Sequence, residues 1–476
     1  MTRRFPSRRS SLLAVSLAAA VVSPALPAIS GSSTTPEAHA QSSALSAGSS
    51  SSFSTNSAPW FGPLSSALGQ TFSSAGSSAR SSKGSSAGSS EGSSAGSSGN
   101  ASSGSSTGGS SELSSTTLKT DKPLPDKPGA LVAREKVGSS RNERILYTST
   151  NERGQIVPVS GAIYPAKNSR GAQGNKGRKG TVILAPGTRG MGDQCAPSAG
   201  SSMLLGLDGS SVNVNYEAPI AQRLANEGYQ VVVTDYIGLG TPGVHTYLNR
   251  VDQGHAVIDA ARAAADPDEK VFFYGYSQGG GATAAAGELQ PEYAPELNLV
   301  GIFAGAPPAN PETMLTQGNA ATLAPVMAMV IASYAYSYPE FRQAVGEQTT
   351  AAANRYLATV AASCLVEGTG SSMGVDKPVL ELAANDERVL RVLRLNRLGA
   401  VPVRAPILIA QSPQDNVVPY AQGEQLADDY RALGSDVQFL SVPLSDASSR
   451  AGLGHVAPAI TQSGEVIRWM NERFND

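Results

Sequence analysis

The residues with the clearest chemical potential surround Ser277, in the five-residue segment 275–279 (Gly-Tyr-Ser-Gln-Gly). The apolar run 271–274 before it predicts a strand, and the segment 280–289 after it predicts a helix. A serine in the sharp turn between a strand and a helix lifts its hydroxyl above the sheet edge, where it can act as a nucleophile. The flanking glycines are needed because the strand and the helix pass too close for side chains.

The five-residue pattern alone proves little in a chain so rich in glycine and serine. It recurs at 84–88, 88–92, 92–96, 104–108 and 370–374. None of these five matches follows a β-branched or aromatic run and opens a helix. The strand-turn-helix context therefore selects Ser277 as the nucleophile.

A serine nucleophile needs an imidazole base, and the chain has only four histidines: His39, His245, His255 and His455. In the fold that uses this turn, the order along the chain is serine, acid, histidine. His39 lies in the N-terminal signal, and His245 and His255 precede Ser277. We therefore expect His455, flanked by small residues on a loop before the last helix, to be the base.

The acid that orients the base is expected on the loop after a late strand. Asp415 fits this position because it follows the buried strand predicted at 406–410 and lies in the turn Asp-Asn-Val-Val-Pro. Asp446 is the main rival, since it is nearer to His455 in the sequence. We expect Asp415 to be the acid.

Acyl transfer also needs two N–H donors for the oxyanion. One is expected to be the backbone N–H of Gln278, the residue after the nucleophile. The second should come from the glycine-rich turn after the strand predicted at 180–185, with Thr188 preferred and Arg189 as the alternative.

A second glycine-rich segment, 235–243 (Asp-Tyr-Ile-Gly-Leu-Gly-Thr-Pro-Gly), matches neither a dinucleotide fingerprint nor a P-loop, so no cofactor is expected. Two cysteines and no clustered histidines argue against a metal centre. A net charge of -2 gives no reason to expect a nucleic-acid partner.

The elements that must position these residues alternate between strands and helices. Strands are predicted at 143–148, 156–166, 180–185, 229–235, 271–274, 297–304, 406–410 and 437–440, and helices at 219–227, 251–265, 280–289 and 463–473. The segment from about 310 to 399 is mostly helical and rich in Ala, Met and Tyr. This order predicts an α/β-hydrolase fold with a mostly parallel sheet and an inserted helical cap.

The chain of 476 residues begins with features of an export signal. Arginines at 3, 4, 8 and 9 precede the apolar run 12–22, and Ala-His-Ala at 38–40 offers a cleavage site, with an earlier one after Ala28. The paired arginines fit an ordinary signal better than a twin-arginine one, and the run is too short for a membrane span. We assign 1–40 to the signal peptide, 41–117 to a disordered Ser/Gly-rich segment and 118–476 to the catalytic domain.

Export makes the two cysteines interpretable, because disulfides persist outside the cytoplasm. Cys195 and Cys364 allow a single pairing, and the alternative is two buried free thiols.

Several segments together resemble the secretory lipase family of yeast lipase A and its bacterial relatives. They are Gly187-Thr188, 195–198 (Cys-Ala-Pro-Ser), 235–243, 275–280 and 293–301 (Tyr-Ala-Pro-Glu-Leu-Asn-Leu-Val-Gly), and the likeness spans roughly 127–475. The resemblance implies hydrolysis of triacylglycerols or related esters, Ser277, Asp415 and His455 as the catalytic triad, and a cap over the acyl site. It also implies a disulfide between core and cap, which Cys195 and Cys364 match. The long Ser/Gly segment departs from the family pattern and raises retention at the cell envelope as an alternative to free secretion.

The sequence thus predicts a secreted, monomeric lipase that acts on a lipid or ester substrate at a lipid–water interface, with no transmembrane segment. An envelope acyltransferase would use the same triad, and a non-catalytic surface protein would also account for the Ser/Gly segment.

Overall fold

The structure is a computed structural model that describes residues 118, 123–167, 177–199, 204–205, 212–213, 215–317, 320–365, 385–445 and 453–476. The predicted signal peptide, the whole Ser/Gly-rich segment 41–117, and Asp446 lie outside the described residues.

The strands alternate with helices along the described chain. The strands are β1 (Leu131–Lys136), β2 (Glu143–Thr150), β3 (Ile156–Tyr164), β4 (Thr181–Ala185), β5 (Leu204–Leu205), β6 (Val212–Asn213), β7 (Gln230–Thr234), β8 (Lys270–Tyr276), β9 (Asn298–Gly305), β10 (Ile407–Gln411) and β11 (Val437–Ser441). The helices are α1 (Ala218–Glu227), α2 (Arg250–Ala264), α3 (Gln278–Tyr293), α4 (Pro311–Gln317), α5 (Ala320–Ser337), α6 (Pro339–Gln348), α7 (Ala351–Ala362), α8 (Glu387–Leu395), α9 (Tyr420–Ala432), α10 (Leu453–Thr461) and α11 (Ser463–Asn475).

Nine of the described strands form one mostly parallel sheet in the order β1-β2-β3-β7-β4-β8-β9-β10-β11. The first four strands in this order pair antiparallel, and from β7 to β11 all pairs are parallel. The carboxyl ends of β4, β8 and β10 therefore meet at one edge. Ligands and catalytic groups of open α/β sheets gather at this edge.

Alternating side chains on the sheet build a core on each face, because successive strand residues point to opposite sides. Phe273 and Ile183 pack in one core with α2, α3 and α9, while Phe272 and Val182 pack in the other with α1 and α11. Each such fully buried side chain stabilises the fold by roughly 1.5–3 kcal/mol.

Between β9 and β10 the described chain holds five helices, α4 to α8, where the sequence predicts a cap. The predicted α/β-hydrolase fold with an inserted helical region is confirmed. Five elements, β1, β5, β6, α9 and α10, were not anticipated from the sequence. No helix in the described part of the chain is long and apolar enough to cross a membrane.

Candidate active site

Ser277 occupies the turn between β8 and α3 in a strained backbone conformation, with φ 59° and ψ -123°. A non-glycine residue with positive φ costs on the order of 1–3 kcal/mol and persists only where its surroundings hold it. Here its backbone N–H donates to the carbonyl of Gly305, at the end of β9, over 2.8 Å. The side chain is half-buried at the carboxyl edge of the sheet.

The two glycines that flank Ser277 lie where the backbone segments touch. A Cβ on Gly275 would lie 2.0 Å from the carbonyl oxygen of Gly279, and a Cβ on Gly279 would lie 2.0 Å from that of Ala185. Both distances are far below van der Waals contact, so no other residue fits without moving the backbone. The sequence-based reason for these glycines therefore agrees with the structure.

The structure brings Ser277, His455 and Asp415 together from three distant parts of the chain. Nε2 of His455 lies 2.8 Å from Oγ of Ser277, and its Nδ1 lies 2.7 Å from Oδ2 of Asp415. His455 is buried, and no part of the Asp415 side chain is exposed. The expectation that His455 lies on a loop is wrong. It sits in the first turn of α10, since helical backbone already begins at Leu453.

The carboxylate of Asp415 is fixed by donors on both oxygens. Oδ1 accepts from the backbone N–H groups of Val417 and Val418, each over 2.9 Å. Oδ2 accepts from His455 and from Nε2 of Gln411 over 2.9 Å. The turn after β10 therefore holds the carboxylate in a single orientation towards the imidazole.

Three supporting residues were not found by sequence reasoning. Gln411 donates a hydrogen bond to Asp415. The only sequence signal for this role is a polar amide at the end of an otherwise apolar strand. Gly454 lets the histidine helix approach the acid turn, because a Cβ there would lie 1.9 Å from the carbonyl oxygen of Gln414. The hydroxyl of Tyr276 donates to the carbonyl of His455 over 2.7 Å, and burial raises its pKa well above the ordinary value, so it stays protonated.

The two predicted oxyanion residues, Gln278 and Thr188, are buried. Within the described residues, no acceptor is bonded to the backbone N–H of either one. Glu217 accepts from the N–H of the neighbouring Gly187 over 2.8 Å and forms an ion pair with Arg189, the alternative donor residue. This ion pair involves the guanidinium of Arg189 and does not engage its backbone N–H.

The predicted disulfide between Cys195 and Cys364 is confirmed. Their Cα atoms are 5.4 Å apart, and both residues are fully buried. Cys195 follows β4, and Cys364 follows α7, so the bond joins the sheet to the helical region. Gly190 forms an isolated antiparallel bridge with Cys364 at the same place.

The nine-stranded sheet, the strained serine turn and the adjacent imidazole and carboxylate define the protein as an α/β-hydrolase. A nucleophile, a base and an acid in hydrogen-bond contact are the arrangement used for acyl transfer.

The family model for secretory lipases matches residues 203–476, and the chain belongs to this family. It is 29% identical over 343 residues to a probable inactive lipase of Mycobacterium tuberculosis, covering 70% of this chain and 73% of that relative. It is 28% identical over 300 residues to a secreted triacylglycerol lipase of Malassezia furfur, covering 59% of this chain and 61% of the relative. The chain thus spans about three fifths of the length of this yeast relative.

The fold also resembles solved structures. Candida antarctica lipase A in its closed state superposes with a TM-score of 0.60 at 20% identity, covering 73% of this chain and 83% of that one. A rice cell wall degrading esterase of Xanthomonas oryzae superposes with a TM-score of 0.59 at 18% identity, covering 73% and 99%. At these identities the likeness concerns the fold.

Proposed function

We propose that this protein is an exported serine hydrolase of carboxylic esters, a lipase whose substrates are triacylglycerols or related fatty-acid esters. The observation that carries the proposal is the pair of hydrogen bonds made by His455, 2.8 Å to Ser277 and 2.7 Å to Asp415. The substrate class comes from membership of the secretory lipase family. Export is supported by the family and by the signal-like N-terminus. Retention at the cell envelope is the alternative that the Ser/Gly-rich segment raises.

The proton chemistry follows from the contacts of the imidazole. The carboxylate of Asp415 accepts at Nδ1 of His455, so Nδ1 carries the hydrogen and Nε2 keeps a lone pair for the proton of Ser277. When Oγ of Ser277 attacks the ester carbonyl, its proton passes to Nε2. The tetrahedral intermediate then expels the alcohol, which takes this proton, and leaves an acyl-enzyme.

Water completes the cycle by the same steps. His455 takes a proton from the water as the water oxygen attacks the acyl carbon. When the second tetrahedral intermediate collapses, His455 returns this proton to Oγ of Ser277 and the fatty acid leaves. Asp415 stabilises the positively charged imidazole in both halves of the reaction.

The oxyanion of each intermediate is assigned to the backbone N–H groups of Gln278 and Thr188. Support comes from the absence of other acceptors for these two groups among the described residues. Gln278 is also the first residue of α3, so the positive end of the helix dipole faces the same point.

A fluorophosphonate probe and an ester panel test the proposal. The purified full chain should label at Ser277 and should hydrolyse p-nitrophenyl and glycerol esters of rising chain length, measured below and above substrate solubility. Ser277→Ala should lower kcat by about 10⁴-fold or more and abolish labelling. Ser140→Ala, in an exposed turn before β2, is the matched control and should change neither.

The mycobacterial relative is named a probable inactive lipase, so a result without labelling or ester hydrolysis would be informative. A folded wild-type chain without labelling or ester turnover would refute the proposal and favour a non-catalytic surface protein. An added acceptor alcohol separates hydrolysis from acyl transfer, because a transferase would form the new ester in preference to the free acid.

A further inference from the structure

The glycine-rich segment that the proposed mechanism does not use lies between β7 and α2, at residues 235–249, and we call it the β7–α2 loop. The loop folds back on itself: the carbonyl of Ile237 accepts from the N–H of Thr246 and from Nδ1 of His245, each over 3.2 Å. Gly238, with φ 72°, permits this because a Cβ there would lie 2.2 Å from the carbonyl oxygen of Val244. The fold of the loop therefore sets the position of His245.

The base of the loop is anchored to the sheet and to the segment that carries Cys195. The buried carboxylate of Asp235 accepts from Oγ of Ser160 over 2.6 Å and from the N–H of Ser198 over 2.9 Å. The N–H of Gly240 donates to Oδ1 of Asp193 over 3.0 Å. These contacts tie the start and the middle of the glycine-rich part to neighbouring segments, so the loop can support the residues that follow it.

From this support His245 reaches the side chain of Gln278. Nδ1 donates to a carbonyl, so Nε2 is the acceptor, and Nε2 of Gln278 donates to it over 3.0 Å. His245 is fully buried between the rings of Tyr236 and Tyr247, and burial lowers its pKa to about 4. The imidazole is therefore neutral near pH 7 and keeps its capacity to accept.

Two residues on from His245, Tyr247 reaches the other oxyanion residue. Its hydroxyl lies 2.7 Å from Oγ1 of Thr188, and burial raises its pKa, so the hydroxyl keeps its proton. From the start of the same loop, the hydroxyl of Tyr236 donates to the carbonyl of Pro186 over 2.7 Å. The loop thus holds the turn after β4 at two points.

We propose that His245 and Tyr247 are positioning residues that hold the two oxyanion donors at a fixed separation, through the side chains of Gln278 and Thr188. The inference rests on the proposed function. An oxyanion donor must point at the developing charge over about 2.7–3.1 Å, so the orientation of each peptide plane matters. Because both supports come from one short segment, the same loop positions both donors.

The test of Tyr247 uses a double-mutant cycle. Tyr247→Phe should lower kcat roughly tenfold and leave KM unchanged, since the lost geometry matters in the transition state. The Ki of a trifluoromethyl ketone, which forms a tetrahedral adduct with the serine, should rise by the same factor. Thr188→Val should have a similar effect, and the double variant should be no worse than the worse single one.

Tyr147→Phe is the matched control for this cycle. Tyr147 is equally buried, and its hydroxyl also lies 2.7 Å from a threonine hydroxyl, that of Thr234. Its loss should lower the melting temperature while leaving the ratio of Ki to KM unchanged.

For His245, the acceptor is removed with His245→Leu and replaced with His245→Gln, whose amide oxygen can accept from Gln278. The leucine variant should raise the Ki of the ketone, and the glutamine variant should restore much of the loss. If the leucine variant does not fold, the Tyr247 cycle alone decides the proposal.

Unchanged Ki in Tyr247→Phe, with or without a fall in melting temperature, would overturn the inference because the residue would then be merely structural. This failure is distinct from that of the proposed function. An unlabelled, inactive wild-type chain refutes the function, whereas an active wild type with unaffected variants refutes only the positioning role.

Discussion

Gly454→Ala tests whether the approach of the histidine helix to the acid turn sets the rate. Gly454 is the second residue of α10 and immediately precedes His455. A Cβ there would lie 1.9 Å from the carbonyl oxygen of Gln414, the residue before Asp415. Cβ atoms essentially never come closer than 3.0 Å to such an atom, so the two segments must separate by about 1.1 Å.

The rate effect follows from where this displacement acts. Both clashing residues are direct neighbours of the hydrogen-bonded pair, so the 2.7 Å contact between His455 and Asp415 absorbs much of the shift. A catalytic hydrogen bond stretched beyond about 3.2 Å loses most of its effect, and a misplacement of about 1 Å costs on the order of 10²-fold. We expect kcat/KM to fall by about 10²- to 10⁴-fold, the upper limit being loss of the acid's function.

The assay is the hydrolysis of a short-chain p-nitrophenyl ester, with the melting temperature recorded for each variant. Gly464→Ala is the matched control, because Gly464 is likewise the second residue of its helix, α11, and a Cβ there meets nothing within 4 Å. The control should keep full activity and gain up to about 1 kcal/mol in stability. A folded Gly454→Ala variant with activity within threefold of this control would refute the reasoning.

Three further predictions follow from the contacts of the site. Asp415→Asn should lower kcat by about 10⁴-fold with little change in KM, because the amide lets His455 adopt the wrong tautomer; steady-state kinetics with active-site titration checks this. Replacing Cys195 and Cys364 by alanine, which opens a loop with a sequence separation of 169, should lower the free energy of unfolding by up to about 5 kcal/mol in denaturant titrations, and an unchanged midpoint would contradict it. The folded-state pKa of His245, about 4, lies below its ordinary 6.5, so the unfolded chain takes up a proton first as the pH falls through this window and the folded state loses stability. Unfolding of wild type and His245→Gln at pH 7.5 and 4.5 should show the wild type losing about 2–3 kcal/mol relative to the variant, whereas a pH-independent difference would exclude this titration.

Local sequence patterns predicted most of the fold. The strand before Ser277 and the helix after it follow from hydrophobic runs and glycines within a few residues, and the parallel sheet follows from the alternation of such units. His455 was identified by elimination, since it is the sole histidine downstream of Ser277. Asp415 and Asp446 could be ranked but not separated, because both follow late strands in the sequence.

What the sequence determined by itself is the order of the elements, the strained serine turn and a short set of chemically suitable residues. Only the tertiary structure decided that Gln411 holds Asp415, that Gly454 keeps the histidine helix close, and that His245 and Tyr247 contact the predicted oxyanion residues. The physical reason is the sequence separation of the residues that interact. Strand and helix signals repeat every 2 or 3.6 residues and can be seen in a short window, whereas His245 meets Gln278 across 33 residues and Tyr247 meets Thr188 across 59. Such contacts exist only once the parallel strands have brought their carboxyl ends to one edge.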